Sequence, residues 1–155
     1  MTVELDKYEM HVVVPWPEKA LWPNRKAHWS TAHKARQRTK EAGFYLAKEH
    51  IGVRLEHVGE EWCSEWEAYD GMYFVMRLIK PPDGKKRDED NIVAALKGYQ
   101  DGIFQAMGID DSRVKVSINV MCNPHGLGLV EYFVSPLDPH RITNAYKYMD
   151  FMEGV

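Results

Sequence analysis

The chain reads as an α+β protein: one compact domain with a mixed sheet of about four strands and two main helices. Three observations predict this. Apolar, β-branched runs at 8–14, 72–80, 114–121 and 127–135 have strand length. Two longer stretches, 31–50 and 91–108, carry helical spacing. The order strand, helix, strand, helix, strand, strand contains no repeat, low-complexity tract or obvious linker, so it gives one compact α/β layer with a sheet of four or so strands.

The first strand, "YEMHVVVPWP", ends near Val14 because Pro15 and Pro17 flank Trp16. "EKALWPNRKAHWS" has no period and carries Pro23 and Asn24, so it is a loop. Ser30 or Thr31 can cap the helix that runs to about His50, with Ala35, Ala42, Tyr45 and Leu46 toward a core. "EHVGEEWCSEWEAYDG" is polar and punctuated, a loop or edge hairpin, with Trp62 and Trp66 as packing or interface residues. "MYFVMRLIK" is a strand closed by Pro81 and Pro82. The second helix stops at Gly108, a C-terminal cap. The last two strands, separated by Asn123, Pro124, His125 and Gly126, form an antiparallel hairpin in this reading. The tail over 136–155 is a short helix or a dimer contact.

Composition excludes several classes. No stretch approaches the roughly 20 apolar residues of a membrane span. "MTVELDKYEM" lacks the layout of a secretory signal, so a cytoplasmic protein is expected. Cys63 and Cys122 supply neither a disulfide framework nor a zinc site. The seven histidines show no metal-ligand spacing. The net charge of −3 disfavours a nucleic-acid binder, but it conceals a segregation. Residues 24–48 hold seven cations (Arg25, Lys26, Lys34, Arg36, Arg38, Lys40 and Lys48) against Glu41 alone, whereas 54–70 hold six acids against Arg54. A polyanion responds to the local field, so the basic segment, interleaved with Trp22 and Trp29, is a candidate DNA footprint. Its alternative is a solvated basic helix with tryptophans in the core.

The densest charges are in "DGKKRDEDN" (83–91), where Lys85, Lys86 and Arg87 abut Asp88, Glu89 and Asp90. Asp88 and Asp90 are two apart at a helix entrance, so both carboxylates can meet one hard divalent cation, which takes one or two carboxylates plus waters and phosphate. Capping of the helix is the competing use of the same residues. On the helix, Ile92, Leu96, Tyr99, Ile103 and Met107 form a stripe, and Asp90, Ala94, Lys97, Asp101 and Gln105 lie opposite. Lys97 and Asp101 are also spaced for a surface ion pair. Asp110 and Asp111 follow the helix; a turn is one use for them. If the sheet folds back, the turns at both ends of the helix share one cleft.

"KKRDEDN…LKGYQDG…MGIDDSRV", after "MRLIKPPDG" and with "VVVPWP" near the N-terminus, resembles the RusA-type Holliday junction resolvases, a family often carried by prophages. The resemblance covers about 10–135, and its specific part is 85–114. It implies that Asp88, Asp90 and Asp111 are catalytic acids holding Mg²⁺ (or Mn²⁺), and that Lys97 is the catalytic lysine. Lys97 is about three residues further from Asp90 than in the type member, close to one helical turn, which keeps its face. The resemblance further implies a homodimer cutting opposed strands of a four-way DNA junction in recombination and repair. Lys85, Lys86 and Arg87 would then hold backbone phosphates beside the metal, with Arg25, Lys26, Lys34, Arg36 and Arg38 extending the contact. Two other readings remain: a junction binder with little turnover, and a metal-dependent phosphohydrolase acting on other branched DNA or RNA.

Overall fold

The structure, a computed structural model, describes residues 10–23, 28–58, 69–121, 124 and 126–137, with side chains of 53–58 excepted. Strand β1 (Met10–Pro15) leads through a 3₁₀ turn (Lys19–Leu21) to helix α1 (Trp29–Val58). Strand β2 (Tyr73–Lys80), helix α2 (Glu89–Met107), a second 3₁₀ turn (Asp111–Arg113), β3 (Val114–Val120) and β4 (Leu129–Pro136) follow. The four strands form one mixed sheet in the order β1-β4-β2-β3, as the α+β expectation requires.

Both helices lie on the sheet face that carries Val12, Val14, Val75, Ile79, Val130 and Val134. From α2 they receive Ile92, Leu96, Tyr99 and Ile103, all buried, with Met107 at the margin. This is the stripe that the 3.6-residue period predicts. Gly108 ends α2 at φ 68°, a left-handed conformation that a side chain disfavours, and its N–H reaches the carbonyl oxygens of Phe104 and Gln105.

The helices meet through small residues. A Cβ on Gly102 would collide with the Lys40 carbonyl oxygen and stand 2.8 Å from the Phe44 nitrogen. Gly98 and Gly43 make similar approaches, to Thr39 and to the Tyr99 backbone. This contact decides which face of α1 is inside. Ala35, Thr39 and Ala47 are buried against α2, whereas Tyr45 is 68% exposed and not a core residue as its sequence position suggested.

The start of α1 also differs from expectation. It begins at Trp29, and the His28 imidazole Nδ1 accepts the Ser30 N–H at 3.2 Å, so His28 takes the capping role assigned to Ser30 or Thr31.

The expected β3–β4 hairpin does not form. β3 pairs with β2 in parallel, Tyr73 facing Val114, and β4 lies antiparallel between β1 and β2. The burial of the two strands explains the placement: β4 is buried along nearly its whole length, β3 is not. A strand covered on both faces belongs inside a sheet, and one with polar alternate positions at its edge.

Candidate functional site

The β2–α2–β3 unit dictates where the acidic turns go. A helix joining two parallel neighbours runs back along them. Its first residue therefore lies at the C-terminal end of β2 and its last at the N-terminal end. At 1.5 Å per residue the 19 residues of α2 span about 28 Å. Asp88 and Asp90 stand at one end and Asp111 at the other, so one chain does not bring the three carboxylates to a single ion. Among the described residues no group of three His, Cys, Asp or Glu side chains is placed to hold a metal. The expectation of a shared cleft is corrected by the parallel crossover.

At the N-terminal end, Asp88 is the cap of α2: its Oδ1 accepts the Asp90 N–H at 2.8 Å. Asp90 and Glu89 occupy the first turn, where the helix dipole favours negative charge. Asp88 and Asp90 are both exposed. Capping and metal binding are compatible here, because Oδ1 of Asp88 serves the backbone and its second oxygen is left for another partner.

The basic residues before Asp88 are organised by Asp83, to which the sequence reading gave no role. Asp83 Oδ1 accepts the Lys85 N–H at 3.0 Å, and its Oδ2 accepts from Arg87 Nη2 at 2.9 Å. The Arg87 side-chain hydrogen bond and then the Lys85 N–H hold the Asp83 carboxyl below its ordinary pKa. The Arg87 guanidinium carbon lies 5.0 Å from the Trp16 ring centre and 5.9 Å from that of Trp22. The two indoles are tilted 32° to one another at 5.6 Å. Arg87 is thereby fixed, while Lys85 and Lys86 remain exposed. The signal for this clamp was present in the sequence: Asp83 and Arg87 are four apart across a Pro-Pro-Asp-Gly turn.

Trp16, Trp22, Lys19, Lys85 and Lys86 line a groove of about 490 Å³ that ends at Asp88 and Asn91. A separate groove of about 340 Å³ at the other end of α2 contains Lys97, Asp101, Asp110 and Asp111. Lys97 therefore shares a groove with Asp111 and not with Asp88. Its Nζ is 3.8 Å from Asp101, a loose surface pair. Asp110 acts as a turn residue, accepting the Ser112 N–H at 2.9 Å and the Ser112 hydroxyl at 2.6 Å; the hydroxyl bond is the main cause of its lowered pKa. Asp111 is exposed. Arg113 anchors the turn by donating to the carbonyl oxygens of Tyr69 and Gly71, each at 2.9 Å.

On α1, Lys34, Arg36 and Arg38 are exposed, with Arg38 paired to Glu18. Trp29 is 76% exposed and thus no core residue, whereas Trp22 is half-buried at the groove. Arg25 and Lys26 lie outside the described residues, as do Trp62, Trp66 and the tail from 138. No helix among the described residues is long and apolar enough to cross a membrane.

No model of a known protein family matches the chain. Over 107 residues it is 34% identical to an uncharacterized protein of Xylella fastidiosa (strain Temecula1 / ATCC 700964). The match covers 69% of this chain and 63% of that protein, less than two thirds of the relative's length. The likeness by itself assigns no activity to either.

Proposed function

We propose that the chain is a Mg²⁺-dependent, structure-selective endonuclease of the RusA type, hydrolysing phosphodiester bonds at four-way DNA junctions during recombination and repair in a bacterial or phage-infected cytoplasm. One observation carries this reading: two exposed carboxylates, Asp88 and Asp90, at a helix N-terminus, directly beside two free lysines and a fixed arginine. Cations alone would bind a polyanion without cutting it, and acids alone would repel it.

The donor set fits a hard divalent cation, because Mg²⁺ characteristically takes one or two protein carboxylates and completes its shell with water and substrate phosphate; Mn²⁺ suits the same oxygens. Such an ion, when bound, supplies charge neutralisation at the phosphoryl oxygens and an activated water. The protein's own contribution is positional. Lys85 and Lys86 hold backbone phosphates, Arg87 presents a guanidinium held by Asp83 beside Trp16, and Asp88 keeps the helix start in place. Lys34, Arg36 and Arg38, together with Arg25 and Lys26, extend the contact along the DNA.

Asp111 and Lys97 enter this reading through a second copy of the chain. With about 28 Å of helix between the two acidic turns, a three-carboxylate site assembles only where one subunit's Asp88 and Asp90 meet the other's Asp111. A two-fold dimer makes two such sites, as symmetric cutting of a junction requires.

The test mixes purified protein with a labelled synthetic four-way junction and Mg²⁺, with Asp88→Asn and Asp111→Asn alongside. Paired symmetric cuts by the wild type and none by either variant are expected. Tight, metal-independent binding without cuts by any of the three would favour a junction-binding protein, a reading favoured by the separation of Lys97 from Asp88.

A further inference from the structure

The groove beside Asp88 has an aromatic lining that its cations do not explain. Phosphate needs positive charge and hydrogen-bond donors, and the exposed Lys19, Lys85 and Lys86 supply both. The indoles of Trp16 and Trp22 answer to a different chemistry. They are half-buried and line a cavity of about 490 Å³, within the size range of small-molecule sites. Pro17 and Pro82 form parts of the wall, where fixed φ angles keep it shaped before anything binds.

Arg87 extends the aromatic surface. Its guanidinium carbon lies 5.0 Å from the Trp16 ring centre, and both oxygens of Asp83 hold the group at one edge. A planar cation so placed offers a π-stacking face with its orientation already set.

We infer that this groove takes the base of an unpaired nucleotide, held against the cluster of Trp16, Trp22 and Arg87 while its flanking phosphates meet Lys19, Lys85 and Lys86. A base inside a duplex has both faces covered by its neighbours, so such a cluster selects a nucleotide that has left the stack. Stacking tolerates any base, because all have a π-face. The charge balance agrees: Lys19, Lys85, Lys86 and Arg87 face Asp83 and Asp88, and Asp83 is already paired with Arg87. This inference rests on the polynucleotide-cleaving reading above and adds what that reading lacks, a reason for the site to prefer distorted DNA over ordinary duplex.

The experiment uses the full chain and a 15-nucleotide oligothymidylate carrying one 5-iodouracil, without divalent metal so that no cleavage occurs. Long-wave irradiation joins iodouracil to the aromatic ring it stacks on, and the adduct is mapped by mass spectrometry. Adducts on Trp16 or Trp22 are expected, persisting in Trp22→Phe. Trp22→Ala, checked for an unchanged melting curve, should weaken oligonucleotide binding about five-fold or more. Adducts confined to Trp29, Tyr45 or any other site would overturn the inference. So would thymidine monophosphate binding as tightly as the oligonucleotide, which would mark a free-nucleotide site. Junction cutting with adducts elsewhere sinks the base site alone, whereas failure to bind any DNA sinks the endonuclease reading with it.

Discussion

Asp90 and Asp111 stand at opposite ends of α2, with 19 helical residues assigned between Glu89 and Met107. Any chemistry that uses both must draw them from two chains. Asp90→Asn and Asp111→Asn proteins, each inactive alone, should therefore complement when mixed and allowed to exchange subunits. A heterodimer places both lesions in one site and leaves the other intact. With half the dimers mixed, nicking should return to about a quarter of the wild-type level. Absence of any recovery after verified exchange would show that the acids do not share a site.

The lysines before Asp88 should be visible in the salt dependence of binding. Each phosphate contact to duplex DNA adds about 0.9 to the slope of log K against log salt. Replacing Lys85 and Lys86 by alanine should lower that slope by up to about 2, as read by fluorescence anisotropy on a junction. An unchanged slope would remove these lysines from the interface.

Arg87 should stay clamped across the whole physiological range. The Asp83 carboxyl titrates below its ordinary value of about 3.9, chiefly through the Arg87 hydrogen bond and next through the Lys85 N–H. A depressed folded-state pKa stabilises the fold above the unfolded value, and that contribution is lost as pH falls through the lower one. Tryptophan fluorescence should therefore report release of Arg87 only below about pH 3.9, and Asp83→Asn should abolish that step. A transition near pH 5 or above would contradict the clamp.

The glycine contact between the helices admits a stability test in which two effects compete. Gly102→Ala gains about 1 kcal/mol of helix propensity. The added Cβ, however, meets the backbone of Lys40 and Phe44, which cannot rotate away as a side chain would. Overpacking wins, and a net loss of about 2 kcal/mol, roughly 4–8 °C in melting temperature, is expected. The buried Tyr132 hydroxyl gives the opposite sign. It has no hydrogen-bond partner among the described residues, and burial raises its pKa. Tyr132→Phe should leave stability unchanged or raise it by up to about 1 kcal/mol, roughly 2–4 °C in melting temperature.

Much of this architecture was legible residue by residue. The stripe on α2, its stop at Gly108 and the β2 strand follow from periodicity and a single left-handed glycine, which are local properties. Partner choice is not local. "VKVSINV" and "LVEYFVSP" both read as strands, and the turn residues between them suggested a hairpin. Only the contrast between alternating polarity in the first and near-continuous apolarity in the second hinted that they take edge and interior places. The site failed to be read in the same way. Asp88, Asp90 and the three cations were found from their types and spacing. Their separation from Asp111 follows from β3 running parallel to β2, a fact of topology. The face of α1 was missed because glycines on α2, carrying no hydrophobic signal, determine how the two helices meet.

The placement of β4 has a consequence for how the protein is made. β1 comprises residues 10–15, yet in the described sheet it pairs only with residues 129–134, the last of the described strands to be synthesised. Until that segment has emerged from the ribosome, β1 has no neighbour among the described strands and β2 lacks its antiparallel partner. Helices α1 and α2 can meet beforehand, because their contact needs nothing beyond residue 107. The sheet should therefore close late, through sequence-distant contacts, and nascent chains halted before Leu129 should expose an unpaired strand to chaperones and to one another.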